Sequence, residues 1–185
     1  MTTAPYFSII TPVFNPPINA FRDCVASVTQ QTCSDWEWIL VNDGGTDPEV
    51  MQILNSLESN PQVTIIRRAK NEGIVAASND GIQASRGEFI ALLDHDDQLT
   101  ADALETVREL LVENSDIDYV YSDEDKVSED GQYFGHFRKP RFSPERLRNQ
   151  NYCCHFSVLR SSLVKELGGF REGFDGSQDY DLFLR

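Results

Sequence analysis

Along the first two-thirds of the chain, short apolar runs alternate with stretches whose apolar residues recur at helical spacing. Phe7-Ser8-Ile9-Ile10-Thr11-Pro12-Val13-Phe14 is β-branched and aromatic and predicts a buried strand, closed by the turn residues Asn15-Pro16-Pro17. From Ile18 to Gln31, Phe21, Val25 and Val28 share one helix face. Trp36 to Val41 predicts a second strand, stopped by the dense turn signal Asn42-Asp43-Gly44-Gly45-Thr46-Asp47. Pro48 to Leu57 reads as a helix with proline near its start. A third strand is expected at Val63 to Ile66, an alanine-rich helix at Glu72 to Ser85, and a fourth strand at Glu88 to Leu93. Thr100 to Glu113 is a helix with Thr100 as its N-cap, and Asp118 to Ser122 a fifth strand. From Glu124 onward the pattern is less regular and richer in Arg, Phe and Tyr.

Alternation of this kind predicts an α/β domain, a mostly parallel sheet flanked by helices. Residues 1–185 carry no linker, repeat or low-complexity run, so one domain is the economical reading. Ligands of such sheets sit beyond the carboxyl ends of the strands. Three polar segments fall there: Thr11 to Asn15, Asn42 to Asp47, and Asp94 to Asp97. No G-x-G-x-x-G follows the first strand and no Walker lysine occurs, which disfavours a dinucleotide oxidoreductase or a P-loop enzyme.

The formal net charge of −14 speaks against nucleic acid as a partner, because a duplex-binding face is basic. No apolar run reaches membrane-spanning length, and the start Met1-Thr2-Thr3-Ala4-Pro5-Tyr6 lacks the basic and apolar regions of a secretory signal. Cys24, Cys33, Cys153 and Cys154 form no C-x-x-C pair and read as reduced thiols. An apolar stripe after Asp179 runs to Arg185 without a C-cap signal, which predicts a chain cut from a longer protein.

Asp94, Asp96 and Asp97 crowd the end of Ala91-Leu92-Leu93. Carboxylates placed beside a core repel one another and lose solvation, and a divalent cation offsets both costs. Mg²⁺ and Mn²⁺ favour oxygen ligands, often one or two carboxylates plus substrate phosphates. The alternative is a solvated turn in which Asp97 caps the next helix. His95 points away from the flanking carboxylates and reads as non-ligating.

Taken in order, Thr11-Pro12-Val13-Phe14-Asn15, Val41-Asn42-Asp43-Gly44-Gly45-Thr46-Asp47, Asn71-Glu72-Gly73 with Ala76, Asn79 and Gly81, Leu93-Asp94-His95-Asp96-Asp97, and Gly168-Gly169-Phe170 with Ser177-Gln178-Asp179-Tyr180-Asp181-Leu182 resemble the family 2 glycosyltransferases. The resemblance implies the GT-A fold, a Rossmann-like mixed but mostly parallel sheet. It also implies inverting transfer of a sugar from a nucleoside-diphosphate donor, of uridine or thymidine type, to a hydroxyl of a glycan or lipid-linked acceptor. Mn²⁺ or Mg²⁺ is the implied cofactor.

By the same resemblance, Thr11, Pro12 and Asn15 line the nucleotide pocket, Asp43 meets the base, and Asn71 and Gly73 border the donor. Asp94 sits near the ribose or donor sugar, and Asp96, with Asp94, holds the metal. Asp179 is the general base, with Gln178 on the acceptor side; His155 is placed on that side by its strand position, not by the resemblance. Each role has a plainer competitor: an Asx-turn for Asp43, a helix-dipole carboxylate for Asp179 with Ser177 as cap, and an edge histidine on an alternating strand for His155. Arg138, Lys139 and Arg141 read as a solvated basic loop. Gln178 and Gly45 depart from the glutamate and serine that relatives often carry. The competing function classes are a non-catalytic nucleotide-sugar-binding domain and a sugar nucleotidyltransferase. The expected location is cytoplasmic, at the inner face of a membrane through other parts of a longer protein.

Overall fold

In the computed structural model, residues 4–128 and 130–185 are described; the Met1–Thr3 part of the chain start read above lies outside them. The elements run β1 (Phe7–Val13), α1 (Ile18–Thr29), β2 (Trp36–Asn42), α2 (Pro48–Leu57), β3 (Val63–Arg67), α3 (Ile74–Ala84), β4 (Phe89–Leu92), α4 (Ala103–Glu113) and β5 (Tyr119–Tyr121). A hairpin follows, β6 (Glu124–Val127) and β7 (Tyr133–Phe137), then α5 (Pro144–Leu147), β8 (Ser157–Arg160), α6 (Ser161–Glu166) and α7 (Gln178–Leu184). The main sheet is ordered β3-β2-β1-β4-β8-β5. The β1–β2, β1–β4 and β2–β3 pairs are parallel, whereas β8 runs antiparallel to both β4 and β5.

β1 and β2 are mostly apolar rather than alternating because every one of their residues is buried, with helices on both faces. Alternate side chains divide between two cores. Phe7, Ile9, Trp38, Leu40 and Phe89 pack with Phe21 of α1, Leu54 of α2 and Leu104 of α4. Ile10, Ile90 and Leu159 pack with Val75 and Ile82 of α3, Val164 of α6 and Leu182 of α7. Each such side chain stabilises the fold by about 1.5–3 kcal/mol through burial. Gly81 lets α3 lie directly on β1: a Cβ there would stand 2.5 Å from Cγ2 of Ile10. Two buried polar groups are satisfied inside the sheet, Thr11 by the Trp38 indole N–H at 2.9 Å and Glu37 by the Ser8 hydroxyl at 2.7 Å.

Three local expectations are corrected. Thr100 does not cap α4; the helix starts later, after Asp102, and the Thr100 carbonyl instead accepts a turn bond from Ala103. Residues 151–156 are not an alternating strand, since β8 begins at Ser157 and His155 holds a left-handed φ of 43°. Lys139 is not solvated: burial leaves its residue 9% exposed. Among the described residues no helix is long and apolar enough to cross a membrane.

Candidate active site

β1 connects onward to β2 on one side, while β4 lies on its other side, so the chain reverses direction across the sheet between β1 and β4. A crevice opens at such a switch point, beyond the carboxyl ends of the strands. Here it is a cavity of about 220 Å³, whose walls include Pro12 after β1, Asp94 after β4, His155 before β8, and Gln178 and Asp179 at the start of α7.

On the β4 side, Asp94, Asp97 and His155 converge, with one potential ligand atom from each lying within 4.8 Å of the others. Burial, and then the neighbouring Asp97 carboxylate, push the Asp94 carboxyl above its ordinary pKa. His155 Nδ1 lies 3.0 Å from Asp97, and this bond is the main reason its imidazolium is held up to about 9, against the opposing effect of desolvation. Asp96 is exposed on the same turn and lies outside that trio. His95 turns back to the Pro12 carbonyl at 2.9 Å, which ties the ends of β1 and β4 together.

Asp43, at the end of β2, is 3% exposed and does not line the cavity. Its carboxylate accepts from the backbone N–H groups of Glu72 at 3.1 Å and Gly73 at 2.9 Å, and its Oδ1 lies 3.0 Å from Arg68 Nε. It thereby holds the loop that opens α3, where Asn71 Oδ1 also accepts from Gly73 N–H at 3.1 Å. The Asx-turn of this region belongs to Asn42, which accepts from Gly45 N–H and donates to its carbonyl. Asn15 binds the same turn from the β1 side, accepting from Thr46 at 3.2 Å and Asp47 at 3.3 Å. A Cβ on Gly45 would stand 2.8 Å from both Asn15 Oδ1 and Asn42 Oδ1, so this turn has closed around a glycine.

A sequence profile described as Glycosyl transferase family 2 matches residues 8–168. The chain belongs to that family. It is 40% identical to the uncharacterized protein y4gI of Sinorhizobium fredii over 100% of its own length and 20% of that protein's. It is 37% identical to the O-antigen biosynthesis protein RfbC of Myxococcus xanthus, again over 100% of this chain but 15% of that protein. The chain thus spans a fifth or less of these two relatives. Among solved structures, S. aureus TarS in complex with UDP superposes with a TM-score of 0.75 at 19% identity, over 95% of this chain and 53% of that one. A mannosyltransferase from Pyrobaculum calidifontis, solved with GDP-Man and Mn²⁺, gives 0.71 at 18% identity, over 98% and 51%. The fold is of the GT-A type.

Seen on this family 2 domain, several motif residues are structural. Asn79 clamps the Gly169-Phe170 turn to α3: its amide donates to the Phe170 carbonyl and its oxygen accepts from the Phe170 N–H, both at 2.9 Å. A Cβ on Gly169, whose φ is 70°, would stand 2.5 Å from Asn79 Oδ1. Asp181 is turned inward onto Arg171 and Arg185, and the Arg171 hydrogen bond holds its carboxyl below the ordinary carboxylate range. Two residues earlier, less than one helical turn away, Asp179 faces the cavity instead. Ser177 occupies the cap position of α7 without a side-chain bond, and Gln178 accepts from Gly176 N–H at 2.8 Å.

Reading the sequence missed two contributors. Lys139 donates to the carbonyls of Cys154 and His155 and pairs with Glu124 at 2.8 Å, holding the strained His155 turn. Its only sequence signal is a lysine among exposed arginines, which gives no hint of burial. Asp97 is legible as a member of the acidic cluster, but its pairing with His155 is not; the resemblance points to Asp96 and Asp94 instead.

Proposed function

We propose that this domain transfers a sugar from a nucleoside-diphosphate donor to a hydroxyl of a glycan or lipid-linked acceptor, with inversion at the anomeric carbon. The observation that carries the reading is the single cavity lined by both Asp94 and Asp179. Inversion needs a proton acceptor on one side of the anomeric carbon and a site for the departing diphosphate on the other, and two walls with separate carboxylates meet that need. Asp179 takes the proton of the attacking hydroxyl, a contribution of about 10²–10⁴ in rate. Gln178 and His155 border the acceptor side. Thr11, Pro12 and Asn15 end β1 at the nucleotide side. There Thr11 has its hydroxyl engaged by Trp38, so backbone groups do the binding. Asp43, assigned to the base by the family resemblance, supports the donor wall through Glu72 and Gly73.

The donor set fits Mn²⁺ or Mg²⁺. Asp94, Asp97 and His155 offer two carboxylates and an imidazole close enough to share one ion; burial first and the Asp97 charge next raise the Asp94 pKa, and a bound cation offsets both. When bound, the ion stabilises charge gained by the leaving diphosphate. Asp96, exposed beside them, remains a candidate ligand on sequence grounds.

A thermal-shift screen of uridine, thymidine and guanosine diphosphate sugars, with and without Mn²⁺, tests the donor class; a pyrimidine carrier with a Mn²⁺-dependent shift is expected. Calorimetry of UDP with Mn²⁺ separates the ligands. Alanine at Asp94, Asp97 or His155 lowers affinity at least tenfold, and UDP affinity indifferent to chelation would remove the metal from the mechanism. Asp179→Asn keeps UDP affinity and loses transfer by at least about 100-fold. Near wild-type transfer by that variant would rule out the base.

A further inference from the structure

We propose that Asn151 is a positioning residue for Asp179, an inference that rests on Asp179 being the acceptor-side base. The Asn151 side-chain amide donates to Asp179 Oδ2 at 2.9 Å. Its other polar atom, Oδ1, is buried and has no hydrogen-bond partner among the described residues. An orphaned buried acceptor is costly, and an apolar residue in this place would avoid the cost. The donor half of the amide therefore has a use that outweighs it. The amide orientation follows from charge: turned over, Oδ1 would face the carboxylate, and Nδ2 would become the orphan.

The backbone around the pair is pinned from both ends. Tyr152, the next residue, is fully buried, and its hydroxyl accepts from Ser143 N–H at 2.8 Å. Tyr180, next to Asp179, donates its hydroxyl to the Leu147 carbonyl at 2.5 Å. Segment 147–152 is thus tied to the first turn of α7 by two bonds, one structural and one reaching the carboxylate itself. With Oδ2 occupied by Asn151, the Asp179 carboxylate is fixed in rotation, and Oδ1 is the oxygen left for the attacking hydroxyl.

The test compares Asn151→Leu, Asp179→Asn and their double variant in the full chain, reading UDP release from the UDP-sugar the wild type turns over fastest. Asn151→Leu should lower kcat about 10–100-fold with donor KM and UDP affinity within about twofold, as expected when a reacting group loses its orientation. In the Asp179→Asn background the same change should leave the residual rate unaltered within about twofold, because the group it orients is already gone. An Asn151→Leu kcat within twofold of wild type, or an equal loss in both backgrounds, overturns the proposal. Near wild-type turnover by Asp179→Asn overturns the base assignment first, which keeps the two failures apart. Should Asn151→Leu not fold, thermal melting of Asn151→Asp decides: two facing carboxylates lower Tm, and adding Asp179→Asn, which restores a donor to the pair, recovers it. No recovery also overturns the proposal.

Discussion

The Asn79 clamp yields the sharpest test of how the cavity wall is held. Asn79→Ala removes both bonds to Phe170, leaving one N–H and one C=O without their partners. Phe170 is 5% exposed and lines the cavity, so water reaches these groups poorly. An unsatisfied buried group costs about 1–3 kcal/mol, and two of them give roughly 2–4 kcal/mol once partial rehydration in the space vacated by the amide is allowed for. Asn79→Asp divides the pair. The carboxylate still accepts from the Phe170 N–H but faces the Phe170 carbonyl with like partial charge. Its cost should therefore shrink near pH 4, where a protonated acid can donate in place of the amide. Urea unfolding at pH 7 and pH 4 measures both variants. A loss below about 1 kcal/mol for Asn79→Ala, with unchanged m-value, would refute the clamp as an energetic feature and reduce it to a contact. Retention of the full Asn79→Asp penalty at pH 4 would refute the assignment of donor and acceptor.

Asp181→Asn tests the inward carboxylate of α7. Its folded pKa is depressed by Arg171 and then Arg185, so the stabilisation is present above the ordinary carboxylate value of about 3.9 and fades as pH falls through the lower folded value. The variant should lose about 1–3 kcal/mol at pH 7 and progressively less on acidification below about pH 4, and an equal loss at pH 7 and pH 2 would break the linkage. Among the thiols, Cys24 is fully buried and pushed up to about 12 by burial first and the Asp97, Asp96 and Asp94 charges next. Thiol titration at pH 8 should find Cys154, the one half-exposed cysteine, reacting in the native state, and the other three only in denaturant. Rapid native labelling of Cys24, read by mass spectrometry, would show that the β4 end opens freely.

The first five strands and four helices are legible in the sequence for a common reason. Strands covered on both faces are dominated by apolar residues, so Phe7–Val13 and Trp36–Asn42 stand out, and their helices bury one stripe at regular spacing. The later elements escape that logic. β7, Tyr-Phe-Gly-His-Phe, is almost wholly exposed, and α5 spans a single turn, so neither imposes a period. β8 is short and antiparallel, and nothing local announces that residue 157 will pair beside β4. At the site, the three polar strand ends were visible because they interrupt apolar runs. The convergence of His155 on Asp97, the burial of Lys139 and the bond from Asn151 to Asp179 join residues far apart in the chain, and only the path of β8 and α7 brings them together. The need for glycine at position 45 also became visible only in the coordinates, since the tight approach of Asn15 and Asn42 has no sequence periodicity.

The place of β8 between β4 and β5 also governs the order of assembly. Its residues are made after those of the other strands among the described residues, yet it supplies the partner for an internal edge of the sheet. A growing chain that has released β1 to β4 can zip up their parallel half, but the outer edge of β4 keeps its amides and carbonyls unpaired until residue 160 emerges. β5 must wait as well, because it touches the sheet only through β8. Maturation of the catalytic crevice is therefore coupled to completion of the barrier against edge-to-edge association: the step that shields β4 is also the one that delivers His155 beside Asp97.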